Sequence, residues 1–243
     1  MGRGRLSGRA TLVAPPSTSD AAPTPPSAPQ PAASGVGEDR GESRIGILGG
    51  TFDPPHIGHL WLASLAAEEL DLERVVFMPA ARPPHKRSQR VSAATDRLLM
   101  TRLAISGDDR FDLSALEMER TGPSFTVDTI EELQRMHGPA TRLFLVMAAD
   151  SLAQIDTWRE PDRLLSMVEW AVGPRPGSRL DRAVIEQRFG AAASRIHLLD
   201  GPALDVSSSE LRRRVATGRT ISYLVPRSVE QHIHDRELYR ARS

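Results

Sequence analysis

From residue 44 onward, short apolar runs alternate with stretches of helical spacing. Arg44-Ile-Gly-Ile-Leu-Gly49 is a compact apolar run of the kind a buried parallel strand carries. Residues 75–78, 143–147, 168–172 and 196–199 repeat that signature, and residues 111–118 read as short strands. Between these runs the spacing predicts helices over 57–70, 94–105 and 126–136, the last capped by Ser124. Two further helical stretches, 207–217 and 226–234, follow the last strand.

Strands that alternate with helices at this spacing imply βαβ units. Right-handed crossovers then give an α/β fold, a Rossmann-like, doubly wound parallel sheet. The expected organisation is a single domain over 44–243 with a C-terminal helical region. Residues 1–43 differ: they are rich in Pro, Ala, Ser and Gly and carry no aromatic residue. Such a stretch buries too little apolar surface to offset the entropy of ordering, so a disordered extension is expected. Arg3, Arg5 and Arg9 give its start a slight transit-peptide character, and the apolar core of a secretory signal is missing.

Composition narrows the function classes. The 243 residues are 40% hydrophobic and 26% charged, as in soluble globular proteins. Formal net charge is zero, so no basic excess argues for nucleic acid. With no cysteine, disulfides, thiol nucleophiles and cysteine-bound zinc are excluded. No apolar run approaches the roughly 20 residues of a membrane span. A cytoplasmic protein is expected.

Ligands of doubly wound sheets bind beyond the carboxyl ends of the strands. The first strand ends at Gly49, and the loop after it is the place to look. It reads Gly49-Gly50-Thr51-Phe52-Asp53-Pro54-Pro55-His56-Ile57-Gly58-His59. Two glycines let the backbone approach a ligand closely. His56 and His59 share a face of the first helical turn, where free N–H groups already favour an anion. Gly58 puts no side chain between them. The loop is neither the dinucleotide fingerprint nor a Walker A loop. Two histidines three apart also suit a metal or a core hydrogen bond, so the spacing alone decides little.

The whole string, with Leu60 after it, resembles the H-x-G-H signature of the nucleotidyltransferase superfamily. In its full form it resembles the nicotinate-nucleotide adenylyltransferase family, and the likeness runs from Arg44 to the C-terminus. Further matches are Pro83-Pro84-His85-Lys86, Pro123-Ser124-Phe125-Thr126-Val127-Asp128-Thr129, Thr157-Trp158, Arg175-Pro176-Gly177, Val206-Ser207-Ser208-Ser209-Glu210-Leu211-Arg212 and Tyr223-Leu224-Val225-Pro226. Ala148 stands two residues before Asp150, where the family pattern has glycine. Taken alone, several of these are ordinary features: a solvated basic loop, helix caps, a core tryptophan.

The resemblance implies adenylyl transfer from ATP to nicotinate mononucleotide, giving nicotinate adenine dinucleotide and pyrophosphate on the way to NAD. It implies that His56, His59, Lys86 and Arg212 form a positive field for catalysis. Gly49, Gly50, Thr51, Phe52, Asp150, Ser207, Ser208 and Ser209 would join His56, His59 and Arg212 around ATP. Thr51, Lys86, Thr126 and Trp158 would hold the mononucleotide. Mg²⁺ would come with ATP, held mainly by phosphates and waters, with no metal site in the protein itself. Nucleic acid and membrane are not expected as partners, and self-association into a homo-oligomer is left open. The rival readings are a related adenylyltransferase acting on nicotinamide mononucleotide or phosphopantetheine, and a catalytically inert nucleotide-binding module.

Overall fold

The computed structural model describes residues 42–81, 91–120, 122, 124–177 and 181–240. The expected N-terminal extension and Lys86 lie outside them. The described residues belong to one compact unit, Arg40–Ser243.

Six strands form one parallel sheet: β1 (Ser43–Gly50), β2 (Arg74–Pro79), β3 (Phe111–Leu113), β4 (Thr141–Ala148), β5 (Glu169–Gly173) and β6 (Ile196–Leu198). Their order is β3-β2-β1-β4-β5-β6. The sequence wraps outward from β1 in one direction and from β4 in the other, so a crevice opens at the carboxyl ends of β1 and β4. This is the doubly wound α/β architecture expected from the alternation of runs.

Side chains of the two central strands alternate between two cores. Ile45, Ile47, Leu143, Leu145 and Met147 pack on one side of the sheet with Ile130, Leu133, Leu164 and Trp170. These last residues come from α4 (Thr126–His137), α6 (Pro161–Met167) and β5. Leu48, Phe144 and Val146 point the other way, onto Ala63, Leu65 and Ala66 of α1 (Ile57–Glu69). A third cluster joins Met100 of α2 (Ala94–Ile105), Leu211 of α8 (Ser208–Ala216) and Val229 and Ile233 of α9 (Arg227–Asp235). It seats the C-terminal helical region beside α2.

Two sequence expectations need correcting. Residues 111–118 are not all strand: β3 stops at Leu113, and α3 (Leu116–Glu119) follows. The Ser114 hydroxyl accepts from the Leu116 N–H at 3.3 Å and turns the chain into that helix. Ser124 does not cap α4, whose N-cap is Phe125; its hydroxyl donates to the Glu117 carbonyl instead, at 3.3 Å. Three short helices were not anticipated. They are α5 (Ala149–Ala153), α6 with Pro161 in its first turn, and α7 (Arg182–Phe189), where Asp181 accepts from the Val184 N–H at 2.9 Å.

Gly46, in the central strand, leaves room for its neighbours. A Cβ there would lie 2.9 Å from Leu72 Cδ1, 3.1 Å from Val75 and 3.3 Å from Val146. All three belong to the close-packed core under α1, which cannot yield without repacking. Gly46→Ala is expected to destabilise the fold by about 1–3 kcal/mol in urea unfolding. An unchanged midpoint would mean that the core is looser than these contacts imply.

Candidate active site

A cleft of about 500 Å³ opens at the carboxyl ends of β1 and β4. Gly49, Gly50, Thr51, His56, Gly58 and His59 line one wall. Phe125, Thr126, Trp158 and Arg159 line another, and Asp150, Arg175 and Ser207–Ser209 complete the rim.

The first loop is built from its inward-turned aromatic ring. Phe52 has φ of +50°, an unusual conformation for a bulky residue, and is 1% exposed. Its ring passes under Gly50, where a Cβ would lie 2.9 Å away, and meets His59 edge-on at 5.0 Å between centroids. The Phe52 side chain therefore belongs to the core and not to the cleft wall. Its part is to hold the next turn of chain.

That turn carries the two imidazoles. His56 is the N-cap of α1, and its backbone N–H donates to His59 Nδ1 at 3.2 Å. With Nδ1 accepting, a neutral His59 carries its proton on Nε2. The two rings stack at 3.7 Å with planes 24° apart. Gly58 is needed here, because a Cβ would come within 3.1 Å of His56 Nδ1. That Nδ1 is buried and has no hydrogen-bond partner among the described residues.

His56 is not a standing positive charge. Burial, and next the charge of Arg175, lower its pKa from 6.5 to about 4. The expectation of two cationic imidazoles is corrected for His56 on that ground: it presents a neutral ring. Arg175 lines the cleft, donates to the Val206 carbonyl at 3.2 Å and pairs with Asp150 at 3.5 Å. The cation was visible as part of Arg175-Pro176-Gly177 but was not assigned to the site.

α8 contributes the opposite rim. Ser207 caps it, accepting from the Glu210 N–H at 3.2 Å. The Ser208 hydroxyl donates to the Pro54 carbonyl at 2.8 Å. Arg212 donates to the Asp53 carbonyl at 2.8 Å and to the Ser209 hydroxyl at 3.1 Å. The structure thus brings Arg212 to the back of the first loop, as a brace, and does not place it among the lining residues. Thr126 and Trp158 line the cleft. Ala148, at φ −84° and ψ 157°, sits in backbone space open to any residue, so the missing glycine requires no distortion.

Sequence reasoning missed three other polar groups. Arg97 is 1% exposed and donates to four carbonyls: Thr51 at 3.0 Å, Ala80 at 2.7 Å, Ala81 at 3.1 Å and Ser92 at 3.2 Å. Glu117 lines the cleft with its carboxyl pushed up by burial, against the pull of the Thr129 hydroxyl at 2.9 Å. Arg159 lies over the Phe125 ring at 4.7 Å. Nothing local marks Arg97 or Glu117, since their partners are distant in the chain.

The stacked imidazoles where the first helix begins thus stand at the carboxyl edge of a parallel sheet, where doubly wound folds bind their ligands. A cytidylyltransferase-like family model matches residues 47–214. A protein named as a nicotinate-nucleotide adenylyltransferase in Thermomicrobium roseum is 44% identical over 198 residues, 82% of this chain and 92% of that protein. One from Moorella thermoacetica, named likewise, is 43% identical over 202 residues, covering 82% and 93%. The chain belongs to this nicotinate-nucleotide adenylyltransferase family, and it is a nucleotidyltransferase. Two solved structures of the Plasmodium falciparum nicotinic acid mononucleotide adenylyltransferase share its fold. The form complexed with NaAD has a TM-score of 0.69 at 18% identity, over 81% of this chain and 97% of that one. The form complexed with APC has a TM-score of 0.66 at 17% identity, with the same coverage. No helix among the described residues is long and apolar enough to cross a membrane.

The lowered pKa has a consequence for stability. Unfolded His56 takes a proton near pH 6.5, whereas folded His56 takes it near pH 4. Between those values the unfolded chain binds more protons, so stability falls as pH drops through this window. His56→Asn should flatten that part of the pH–stability curve, and the His56 resonance should titrate near pH 4. A midpoint near 6.5 would show the ring to be solvated.

Proposed function

We propose that this chain transfers the adenylyl group of ATP to nicotinate mononucleotide, and that it does so by aligning two anions in the cleft. The observation that carries the reading is the pair of stacked imidazoles at the start of α1, both of which line the cleft.

In this reading a 5′-phosphate oxygen of the mononucleotide attacks the α-phosphorus of ATP. The new P–O bond forms as the bond to the bridging oxygen breaks, and pyrophosphate leaves. The attacker is already an anion, so no general base and no covalent enzyme intermediate are required. Catalysis is alignment plus stabilisation of charge on the α-phosphate and the leaving group. Neutral His56 donates a hydrogen bond, and His59 donates through Nε2. Gly49, Gly50 and Thr51 present backbone to the phosphates, and Ser207–Ser209 receive the nucleotide at the start of α8. Arg175 supplies the cation on the rim, and Arg212 braces the loop. Lys86 is proposed as a further phosphate contact.

The expected divalent ion is Mg²⁺. The cleft offers it one half-exposed carboxylate, Asp150, already paired with Arg175, and among the described residues no three metal-ligating side chains converge. That donor set fits an ion carried in on phosphate oxygens and waters, with Asp150 touching it at most through water. When bound, Mg²⁺ would neutralise charge between the phosphates.

At the far wall Phe125, Trp158 and Thr126 suit a flat pyridine ring and its ribose. Arg159 beside them supplies a positive charge for a ring carboxylate, which favours the acid over the amide. Residues 1–43 have no part in this scheme, and the cytoplasm, with its ATP, is the proposed place of work.

Incubating the protein with ATP, Mg²⁺ and nicotinate mononucleotide should yield the dinucleotide and an equal amount of pyrophosphate. No product would end the proposal. His59→Ala should lower kcat by roughly 10²–10³, as loss of one oxyanion-type donor does. A near-normal kcat would remove His59 from the chemistry. Arg159→Gln should reduce the preference for nicotinate over nicotinamide mononucleotide by about tenfold, the scale of one charge-assisted hydrogen bond. An unchanged ratio would assign the discrimination elsewhere.

A further inference from the structure

The far end of the chain reaches back to the first loop. The Tyr239 hydroxyl donates to Asp53 Oδ1 at 2.6 Å, across 186 residues of sequence. Asp53 is 2% exposed, and its other carboxylate oxygen accepts from the Ser92 N–H at 3.1 Å. Its carbonyl accepts from Arg212 at 2.8 Å. A buried carboxylate is tolerated only when its oxygens are satisfied. Tyr239 fills one of the two oxygens, and Phe52, Asp53 and Pro54 are the residues that set the entry angle of α1.

The tail is bent to make this contact. After α9 the backbone enters the left-handed region twice, at Glu237 (φ +50°) and at Tyr239 itself (φ +65°). For residues with side chains this conformation costs of order 1 kcal/mol or more and persists only where the surroundings impose it. The Leu238 N–H closes back on the Ile233 carbonyl at 3.0 Å, and the Tyr239 hydroxyl also lies 3.9 Å from Met100 Sδ. A bend held this way aims one phenol at one carboxylate.

We infer that Tyr239 is a positioning residue for the reaction: through Asp53 it fixes the loop that presents His56 and His59. The inference rests on the reading of that loop as the triphosphate grip. Tyr239 does not line the cleft, so it acts only through Asp53.

The test uses the full chain with Tyr239→Phe, which keeps the ring packed against Met100 and removes the hydroxyl alone. A displaced catalytic loop costs up to about a hundredfold in rate, so kcat should fall about ten- to a hundredfold. KM for the mononucleotide, bound at the far wall, should change less than twofold. In an Asp53→Ala background the same Tyr239→Phe change should cost less than threefold, because the phenol has then already lost its acceptor. Loss of activity that merely tracks the folded fraction, or equal cost in both backgrounds, would overturn the inference. A readout independent of turnover separates this from failure of the adenylyl-transfer reading. The ring-proton resonances of His56 and His59, assigned by single replacement, should shift in Tyr239→Phe. If they stay in place, Tyr239 does not position the loop, whatever the enzyme's substrate. If they shift while the wild-type chain makes no dinucleotide, the positioning stands and the substrate reading falls.

Discussion

The site depends on a loop without regular structure being held still by buried polar contacts. Residues 51–56 make none of the ladder bonds of the sheet, yet their backbone is largely hidden from water. Each peptide group left without a ladder bond therefore needs a partner from elsewhere. Arg97 takes the Thr51 carbonyl, Arg212 takes that of Asp53, and Ser208 takes that of Pro54. The Ile57 N–H finds the Leu224 carbonyl at 3.0 Å. These partners come from α2, α8 and the segment before α9, so the C-terminal helical region is part of the site's scaffold. With so many anchors, a small change in the loop is resisted from several directions, which is what alignment of two reacting phosphates requires.

Electrostatically, two of the expected cations are not free charges at the cleft. His56 is kept neutral by burial and by Arg175, and Arg212 is spent on the loop backbone. Among the described residues, what faces the cavity is a set of oriented donors, a helix start and the cations Arg175 and Arg159. Neutral donors in a sheltered cleft can stabilise developing charge without repelling one another in the empty state.

Much of this architecture was readable in the chain. The apolar runs of β1, β2, β4 and β5 are short and continuous, as strands buried on both faces must be. The glycines and histidines of the first loop sit within twelve residues, so their spacing was informative. What escaped had local or very distant causes. Short helices such as α5 and α6 bury only Ala149 and Leu152, or Leu164 and Leu165, too few positions to show a period. Ser124 looked like a cap because hydroxyls usually are, but Glu117 and Thr129 draw that turn inward. The contacts of the Asp53 carboxylate span 39 and 186 residues, and no pattern along the sequence announces them. Phe52 shows the same limit: nothing in the motif tells that its backbone has positive φ and its ring lies in the core.

The most direct test of the central claim is a crystal structure of the chain with a non-hydrolysable ATP analogue and Mg²⁺. The account predicts phosphate oxygens within hydrogen-bonding distance of both imidazoles at the start of α1, with the loop over residues 51–56 unmoved. A triphosphate bound away from His56 and His59, or a loop that rebuilds to receive it, would contradict the account.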